Sequence, residues 1–576
     1  MNIDNNLKSI FEAITNNNLD KALKLCDQFI NKQNEHIIFN FKGAIFLKRK
    51  DFHLAKDFFL KSINSKADFI DPYKNLYVIY DINKEFNQLL EITKKIYSFE
   101  KSNSIYNFQL GYAFENCGYL TESLKYYEFA LNLGFKEKLI IFNNIGNIYL
   151  KLNKIKDSIK YFKLGYKTDS QNKIILNNLI RAYLQNRDLE NAKNYLDKAK
   201  DIDPNYEEYN YNKAEYFFLI FEFEKATEIL KKQISEKKDI KNNLLLCRIY
   251  FNQGKKEEGN QLIEKFYKEN PDNIQIKNFI GIRYLCEGKF EKGWTFYEFR
   301  KQNLDDQFPF IKKWNGENLD NKRILVYSEQ GIGDAIQFSK LLLRLKMLCK
   351  EIHFLINEKL NGIFKEDQSG IKILTAINPE IVKYDYKITL GSLNKYFYKD
   401  MNHIRDSLIK IDENKVEKFK KKLINFDQLN IGAAWSGAFT GMNAEFRAIP
   451  FSKFKDLLTL NANFYCLQKD IWDRDTQLFD KSNIHNFGNL LLNDLTSFIQ
   501  NLDLVITSDT SILHFSASIG KETWALLPLD YDWRWGKILD YFKYDNLRIY
   551  RQKKFNNWNE IVSNVKEDLQ KRINEK

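Results

Sequence analysis

Two short segments of this chain hold the residue types that grip phosphates and move protons. In the first, the apolar run Ile324–Tyr327 leads through Ser328-Glu329-Gln330 into Gly331-Ile332-Gly333-Asp334. Ile336, Phe338, Leu342 and Leu345 then predict an amphipathic helix. A strand, a glycine turn and a helix in this order form a ligand site at the carboxyl edge of a parallel sheet. Gly331 and Gly333 permit positive φ and close approach of backbone to ligand. Asp334 stands at the mouth of such a crevice, with Gln330 as a further candidate contact. In the second segment, Leu504–Thr507 predicts a strand that ends in Asp509-Thr510-Ser511, with His514 one helical turn further on. A helix starting near Ser511 would turn its free N–H groups and positive dipole end toward a diphosphate. His514 is then within reach of the same phosphates or of a ribose.

Other candidates cluster at the ends of predicted strands. Trp435, Ser436 and Gly437 close the run that starts at Asn430, and Gln468 follows Phe464–Leu467. Trp435 reads either as core or as a sugar platform, and Gln468 as a hydrogen-bonding partner for a nucleotide. The aromatic loop Asp532-Trp533-Arg534-Trp535 either closes over a ligand or braces the elements around it.

The elements that must position these residues form two sets. Ile324–Tyr327, Glu351–Ile356 and Tyr386–Leu390 predict one group of strands. Asn430–Trp435, Phe464–Leu467, Leu504–Thr507 and Thr523–Leu527 predict another, beyond a Lys-rich helix at about 413–425. Strands alternating with helical stretches imply parallel sheets with helical crossovers. Two such sets imply two lobes facing a cleft, 323–425 and 426–576, the second closing with a helix at about 557–575. A linker over 302–322 precedes them.

The first half follows a different rule. Ala22, Ala55, Ser123, Ser158, Ala192, Ala226, Gly259 and Gly293 recur at steps of 33 to 35 residues, with one double step across Leu89. A second small or apolar position, among them Gly43, Gly111, Gly146, Ala214 and Gly281, precedes most of them by 12 residues. Paired antiparallel helices approach closely only where side chains are small. Asp203-Pro204 and Asn270-Pro271 fall where a helix must stop. This period resembles the tetratricopeptide repeat and predicts about nine helical pairs over 1–301, stacked into an α-solenoid. The concave face of such a solenoid docks a protein partner or serves as a spacer.

Composition narrows the function classes. The net charge of +13 comes from Lys spread along the chain without a dense basic block, and no basic stripe is interleaved with aromatics. Nucleic-acid binding is therefore not expected. The six cysteines form no Cys-x-x-Cys pair, so no metal knuckle or redox motif is expected. The first residues lack the basic and apolar regions of a signal peptide, and no apolar run approaches the ~20 residues of a membrane span. A cytoplasmic location is the expectation.

Several phrases taken together resemble one family: Glu291-Lys-Gly-Trp-Thr-Phe-Tyr-Glu-Phe-Arg300, Trp314-x-Gly316, Glu329-Gln-Gly-Ile-Gly-Asp334, Trp435-Ser-Gly437, Arg447-Ala-Ile-Pro450, Leu467-Gln468, Asp503–Thr510 with His514, and Asp532–Trp535. In this order they are similar to bacterial tetratricopeptide proteins whose second half resembles glycosyltransferase family 9, the ADP-heptose:lipopolysaccharide heptosyltransferases. The resemblance implies a GT-B-like pair of Rossmann-type lobes and inverting, metal-independent chemistry. No cofactor is implied beyond a nucleotide-diphosphate sugar as co-substrate. It makes Asp334 the general base that takes the acceptor hydroxyl's proton; an N-terminal cap of the following helix is the other reading of the same residue. It puts Arg447 opposite the donor phosphates, where a cation stabilises the leaving diphosphate. It gives Asp509, Thr510, Ser511 and His514 the diphosphate, although Ser511 stands where those enzymes have glycine. The function expected is transfer of a sugar to a protein or glycan acceptor, with the repeats as docking module. The alternative is a non-catalytic repeat scaffold whose lobes have lost turnover.

Overall fold

The computed structural model describes residues 5–237, 239–300, 308, 310–365, 370–378, 383–403, 407–424, 427–438, 443–536 and 544–575. The chain forms two compact units, residues 1–212 and 213–576. The division falls inside the helical array, so the last repeats belong to the same body as the sheets.

The first unit is a run of paired helices from Asn5–Thr15 to Leu189–Ile202. The small residues are where helices touch. A Cβ on Gly43 would lie 2.5 Å from the Phe59 ring, one on Gly111 2.8 Å from Tyr127, and one on Gly146 2.5 Å from Phe162. In each case the ring stands sixteen residues after the glycine, on the second helix of the pair. Ser123 Oγ donates to the carbonyl of Gly111 at 2.7 Å, tying the two small positions of that pair together. First helices of successive pairs are also bridged by amides: Asn75 Nδ2 donates to Asn40 Oδ1 at 3.0 Å, and Asn178 Nδ2 to Asn143 Oδ1 at 2.8 Å.

The turn inside each pair has its own period. Asn17, Lys50, Lys84, Gly118, Asn153, Arg187, Phe221, Gly254 and Gly288 all have φ between 55° and 85°. One left-handed residue therefore links the two helices of every pair, at steps of 33 to 35 residues. Six of the nine are not glycine, so they bear the cost of that conformation.

The second unit opens with the last helical pairs, including Ile240–Asn252 with Lys256–Glu269 and Ile274–Cys286 with Phe290–Tyr297. Ten strands follow: β1 Arg323–Tyr327, β2 Glu351–Leu355, β3 Ile371–Leu374, β4 Tyr386–Thr389, β5 Asn430–Ala434, β6 Asn463–Cys466, β7 His485–Asn486, β8 Leu504–Ser508, β9 Thr523–Leu527 and β10 Leu547–Arg551. They form two sheets, ordered β3-β2-β1-β4 and β10-β9-β8-β5-β6-β7. Every pairing is parallel. In each sheet the order reverses beside its first strand, between β1 and β4 and between β5 and β8. Those are the switch points where α/β sheets open a crevice at the strands' carboxyl ends.

Sequence patterning passes over three strands, β3, β7 and β10. All three are sheet edges, short and partly solvated, so no continuous apolar run marks them. The expected linker is not free where it is described. The Trp314 N–H donates to the Lys387 carbonyl at 2.9 Å, and its ring is buried against Tyr396 and Phe397. This seats the segment alongside β4. The expected lobe boundary at 425/426 lies outside the described residues.

The two α/β layers do not stand apart across an open cleft. One continuous apolar cluster runs from Trp294 and Tyr297 of the last repeat, through Ile324, Val326, Ala335 and Phe338, to Val505, Ile512 and Phe515. A second cluster lies on the other face of the six-stranded sheet. There Trp558, Ile561, Val562, Val565 and Leu569 of the helix Trp558–Glu575 pack on Phe454 and Leu457. That final helix covers the second layer rather than crossing both.

Candidate functional site

The glycine turn emerges from the carboxyl end of β1, the central position of its sheet, and the helix Ile332–Ser339 follows. Asp334 is the third residue of that helix. Its Oδ2 accepts the Gly331 N–H at 3.0 Å, so the carboxylate satisfies one of the free donors of the helix start. Its Oδ1 accepts from Arg534, and Arg534 also reaches Asp532 at 2.7 Å and, through Nε, Gln337 Oε1 at 2.7 Å. The guanidinium is 10% exposed and lies over the rings of Trp533 and Phe338, at 4.4 and 5.4 Å from their centroids. Both readings of Asp334 drawn from the sequence thus have a geometric counterpart: it caps the helix, and it faces a hollow with a fixed cation beside it.

Across from this turn, β8 ends at Ser508 and the helix Ser511–Ser518 begins. Thr510 caps it: its Oγ1 accepts the Ile512 N–H at 3.2 Å and lies 3.1 Å from Thr507 Oγ1. Ser511 opens the helix, half-buried. His514 is buried, stacked on Trp535 with centroids 5.7 Å apart, and its Nδ1 is 3.1 Å from the Tyr544 hydroxyl. Burial and the nearby Arg534 pull its pKa down to about 3, so the imidazole is neutral. A Cβ on Gly333 would lie 2.7 Å from His514 Cδ2. The two helix starts approach here because residue 333 has no side chain.

Asp509 is 6% exposed, and burial pushes its carboxyl up against the pull of Arg447. Arg447 Nη1 donates to the Asp509 carbonyl at 3.3 Å and lies 4.0 Å from its Oδ2. The Arg447 side chain is 38% exposed, which leaves part of the guanidinium open to a ligand. For Asp532, burial is more than offset by the Arg534 charge and its hydrogen bonds, and the carboxyl stays below its usual range. Arg447, Asp509, Asp532, Arg534 and Asp334 thereby form one electrostatically linked line between the two switch points.

Other expected contacts have different duties. Trp435 is fully buried against Phe451, Phe454 and Phe479, so it is a core residue and presents no ring to a sugar. Gln468 spends its amide inside the chain. Its Oε1 accepts the Trp435 and Ser436 N–H groups at 2.8 and 3.0 Å, while Nε2 donates to Ser436 Oγ at 3.0 Å and the Asp470 carbonyl at 3.1 Å. It fastens the ends of β5 and β6 together, and Ser436 is buried with it. Gly437 lies over Thr510, its missing Cβ 3.4 Å from Thr510 Cγ2. Trp533 is wedged between Trp294, Tyr297 and Phe338, which makes the aromatic loop a brace. Gln330 pairs with the Tyr297 hydroxyl at 2.7 Å.

A hollow of about 300 Å³ lies where these parts meet, lined by Asn278, Ile282, Tyr297, Arg300, Gln330, Asp334, Asp532, Trp533 and Arg534. Four of these come from the end of the helical array, and patterning gave no sign of Asn278 or Ile282. Arg300 is bound to Glu329 at 2.6 Å and to Glu298 at 3.0 Å. Both partners of the Arg300–Glu329 pair lie in segments already notable in the sequence, but their pairing depends on the fold. Among the described residues no group of three or more His, Cys, Asp or Glu is placed to hold a metal ion, and no helix is long and apolar enough to cross a membrane.

Comparison with known proteins supports the first half. A tetratricopeptide repeat model matches residues 140–172 and 175–206. Protein FlbA of Caulobacter vibrioides is 32% identical over 79 residues, a match covering 13% of this chain and 13% of that protein. Among solved structures, a tetratricopeptide repeat protein from Parabacteroides merdae is 18% identical, covering 40% of this chain and 91% of its own, with a TM-score of 0.37. YrrB, described as a TPR protein with an unusual peptide-binding site, is 20% identical, covering 32% of this chain and 94% of its own, with a TM-score of 0.27.

Proposed function

We propose that this chain is a glycosyltransferase that moves a sugar from a nucleotide-diphosphate donor to a hydroxyl-bearing acceptor. The tetratricopeptide repeats, a protein-interaction module, would bring the acceptor or a partner. One observation carries this reading: the switch points of two parallel sheets meet, with Gly333 against His514 and Asp334 joined through Arg534 to Asp532. In this reading the donor diphosphate lies at the start of the Ser511–Ser518 helix, and Arg447 neutralises charge as the diphosphate leaves. Neutral His514 and its Tyr544 partner hold the nucleotide side of the site. Asp334 takes the proton from the acceptor hydroxyl. Its oxygens each accept one hydrogen bond and retain a further acceptor position, and Arg534 keeps the carboxylate ionised.

The test has two parts. Thermal-shift screening against nucleotide diphosphates and their sugars should show a rise for one nucleotide class, since a ligand bound to the folded state stabilises it. Transfer or donor hydrolysis should then fall by about 10²–10⁴-fold in Asp334→Asn, the range for removal of a general base. Parent-like turnover in that variant would remove Asp334 from the chemistry.

A second reading is a repeat scaffold whose sheets bind no donor. It draws on the tight closure between the layers and on the internal commitments of Gln468 and Trp435. The same screen separates the two, because the scaffold predicts no shift with any nucleotide.

A further inference from the structure

The hollow beside Asp334 has a wall that the sheets do not build. Asn278 and Ile282 stand one helical turn apart on Ile274–Cys286, the first helix of the last repeat, and Tyr297 ends its partner helix. This wall is held rigidly. Arg283, one residue beyond Ile282, pairs with Asp530 at 3.0 Å and lies 4.1 Å from the Phe251 ring centroid. Trp294 meets Trp533 edge-on at 5.1 Å. The Asn278 Oδ1 atom is buried and accepts no hydrogen bond. A buried acceptor without a donor costs about 1–3 kcal/mol, and this one lines the same hollow as the Asp334 carboxylate.

The polar groups of the hollow define what fits. Both arginines that line it are already paired, Arg300 with Glu329 and Glu298, and Arg534 with Asp334 and Asp532. Asn278 Oδ1 and the carboxylates of Asp334 and Asp532 are acceptors. Such a lining suits a group that donates N–H and O–H bonds and carries no phosphate. We infer that the last repeat forms the acceptor subsite, and that the acceptor is a polypeptide whose backbone N–H is taken by Asn278 while a Ser or Thr hydroxyl is presented to Asp334. The inference rests on the glycosyltransferase reading. In the step, the hydroxyl oxygen forms the new bond to the sugar's anomeric carbon, the bond from that carbon to the diphosphate breaks, the diphosphate leaves with the electron pair, and the hydroxyl proton passes to Asp334.

The experiment uses the full chain, a panel of radiolabelled nucleotide-diphosphate sugars and an array of short peptides with a single Ser or Thr each. A phosphate-bearing glycolipid is offered in parallel. Peptide labelling is expected. Asn278→Leu should raise the peptide KM roughly tenfold, the equivalent of one lost hydrogen bond, while Asn278→Asp, which keeps the acceptor oxygen, should stay within a few-fold of the parent. Should Asn278→Leu fail to fold, the peptide and glycolipid arms on the unaltered chain decide the matter. Donor binding with labelling of the glycolipid alone, or an unchanged peptide KM in Asn278→Leu, overturns this inference and leaves the glycosyltransferase standing. Absence of any donor binding overturns both.

Discussion

Gly333 and His514 touch: a side chain on the first would lie 2.7 Å from Cδ2 of the second. The imidazole has no easy retreat, because Trp535 stacks on it and Tyr544 holds its Nδ1. Gly333→Ala should therefore push the helices Ile332–Ser339 and Ser511–Ser518 apart, at a cost of ~1–3 kcal/mol typical of an overpacked contact. Urea denaturation of the two proteins measures this. Equal midpoints would mean that the helix starts have room to spare.

Arg534 is the common partner of Asp334 and Asp532. Removing one member of a buried charge pair leaves the other uncompensated, at a cost of ~3–5 kcal/mol. Arg534→Met should destabilise the chain by about that amount. The same change in an Asp334→Asn background should cost less, since one of the stranded carboxylates is gone. A double-mutant cycle from denaturation midpoints reads the difference. Additive effects would show that the Arg534–Asp334 contact carries no coupling.

The chain makes some of this arrangement readable and hides the rest, for physical reasons. Gly43, Gly111 and Gly146 announce themselves because close helix packing admits only small residues at fixed spacing. The turns between those helices do not, since Lys50, Lys84 and Arg187 adopt left-handed backbone without the glycine that would signal it. The central strands β1, β5 and β8 are apolar runs ending in Gly, Ser, Thr or Asp, and so mark both switch points. The edge strands β3, β7 and β10 carry no such run. Side-chain duties are the least legible. Gln468 at a strand end looks like a ligand contact, yet its partners are the N–H groups of Trp435 and Ser436 on the neighbouring strand. Asn278 looks like any polar residue in a repeat, and its place beside Asp334 depends on how the last repeat packs on the sheets.

Neutral His514 gives stability a pH dependence whose sign is fixed. Its pKa is about 3 in the folded chain and about 6.5 once unfolded. Between those values the unfolded state binds the extra proton, so stability rises with pH. The contribution is complete above about pH 6.5 and falls by ~1.4 kcal/mol per pH unit on the way down, or about 2 kcal/mol lost by pH 5. His514→Gln should flatten this part of the profile. Urea midpoints at pH 7.5 and pH 5 for both proteins check it, and parallel profiles would assign the dependence to other groups.

The repeat turns offer a test in which side-chain contacts play no part. Gly118 has φ +83°, and a Cβ there would meet nothing within 4 Å. Lys50 occupies the equivalent position of an earlier pair with φ +63°, its side chain exposed. A left-handed backbone costs a non-glycine residue roughly 1–2 kcal/mol. Glycine recovers that but loses ~0.5–1 kcal/mol through greater freedom when unfolded. Gly118→Ala should therefore destabilise the chain and Lys50→Gly stabilise it, each by up to about 1 kcal/mol, the difference between these two terms. Opposite shifts in urea midpoint are the expected result. Shifts of the same sign would mean that contacts outside the turns, rather than backbone conformation, set the energy of these positions.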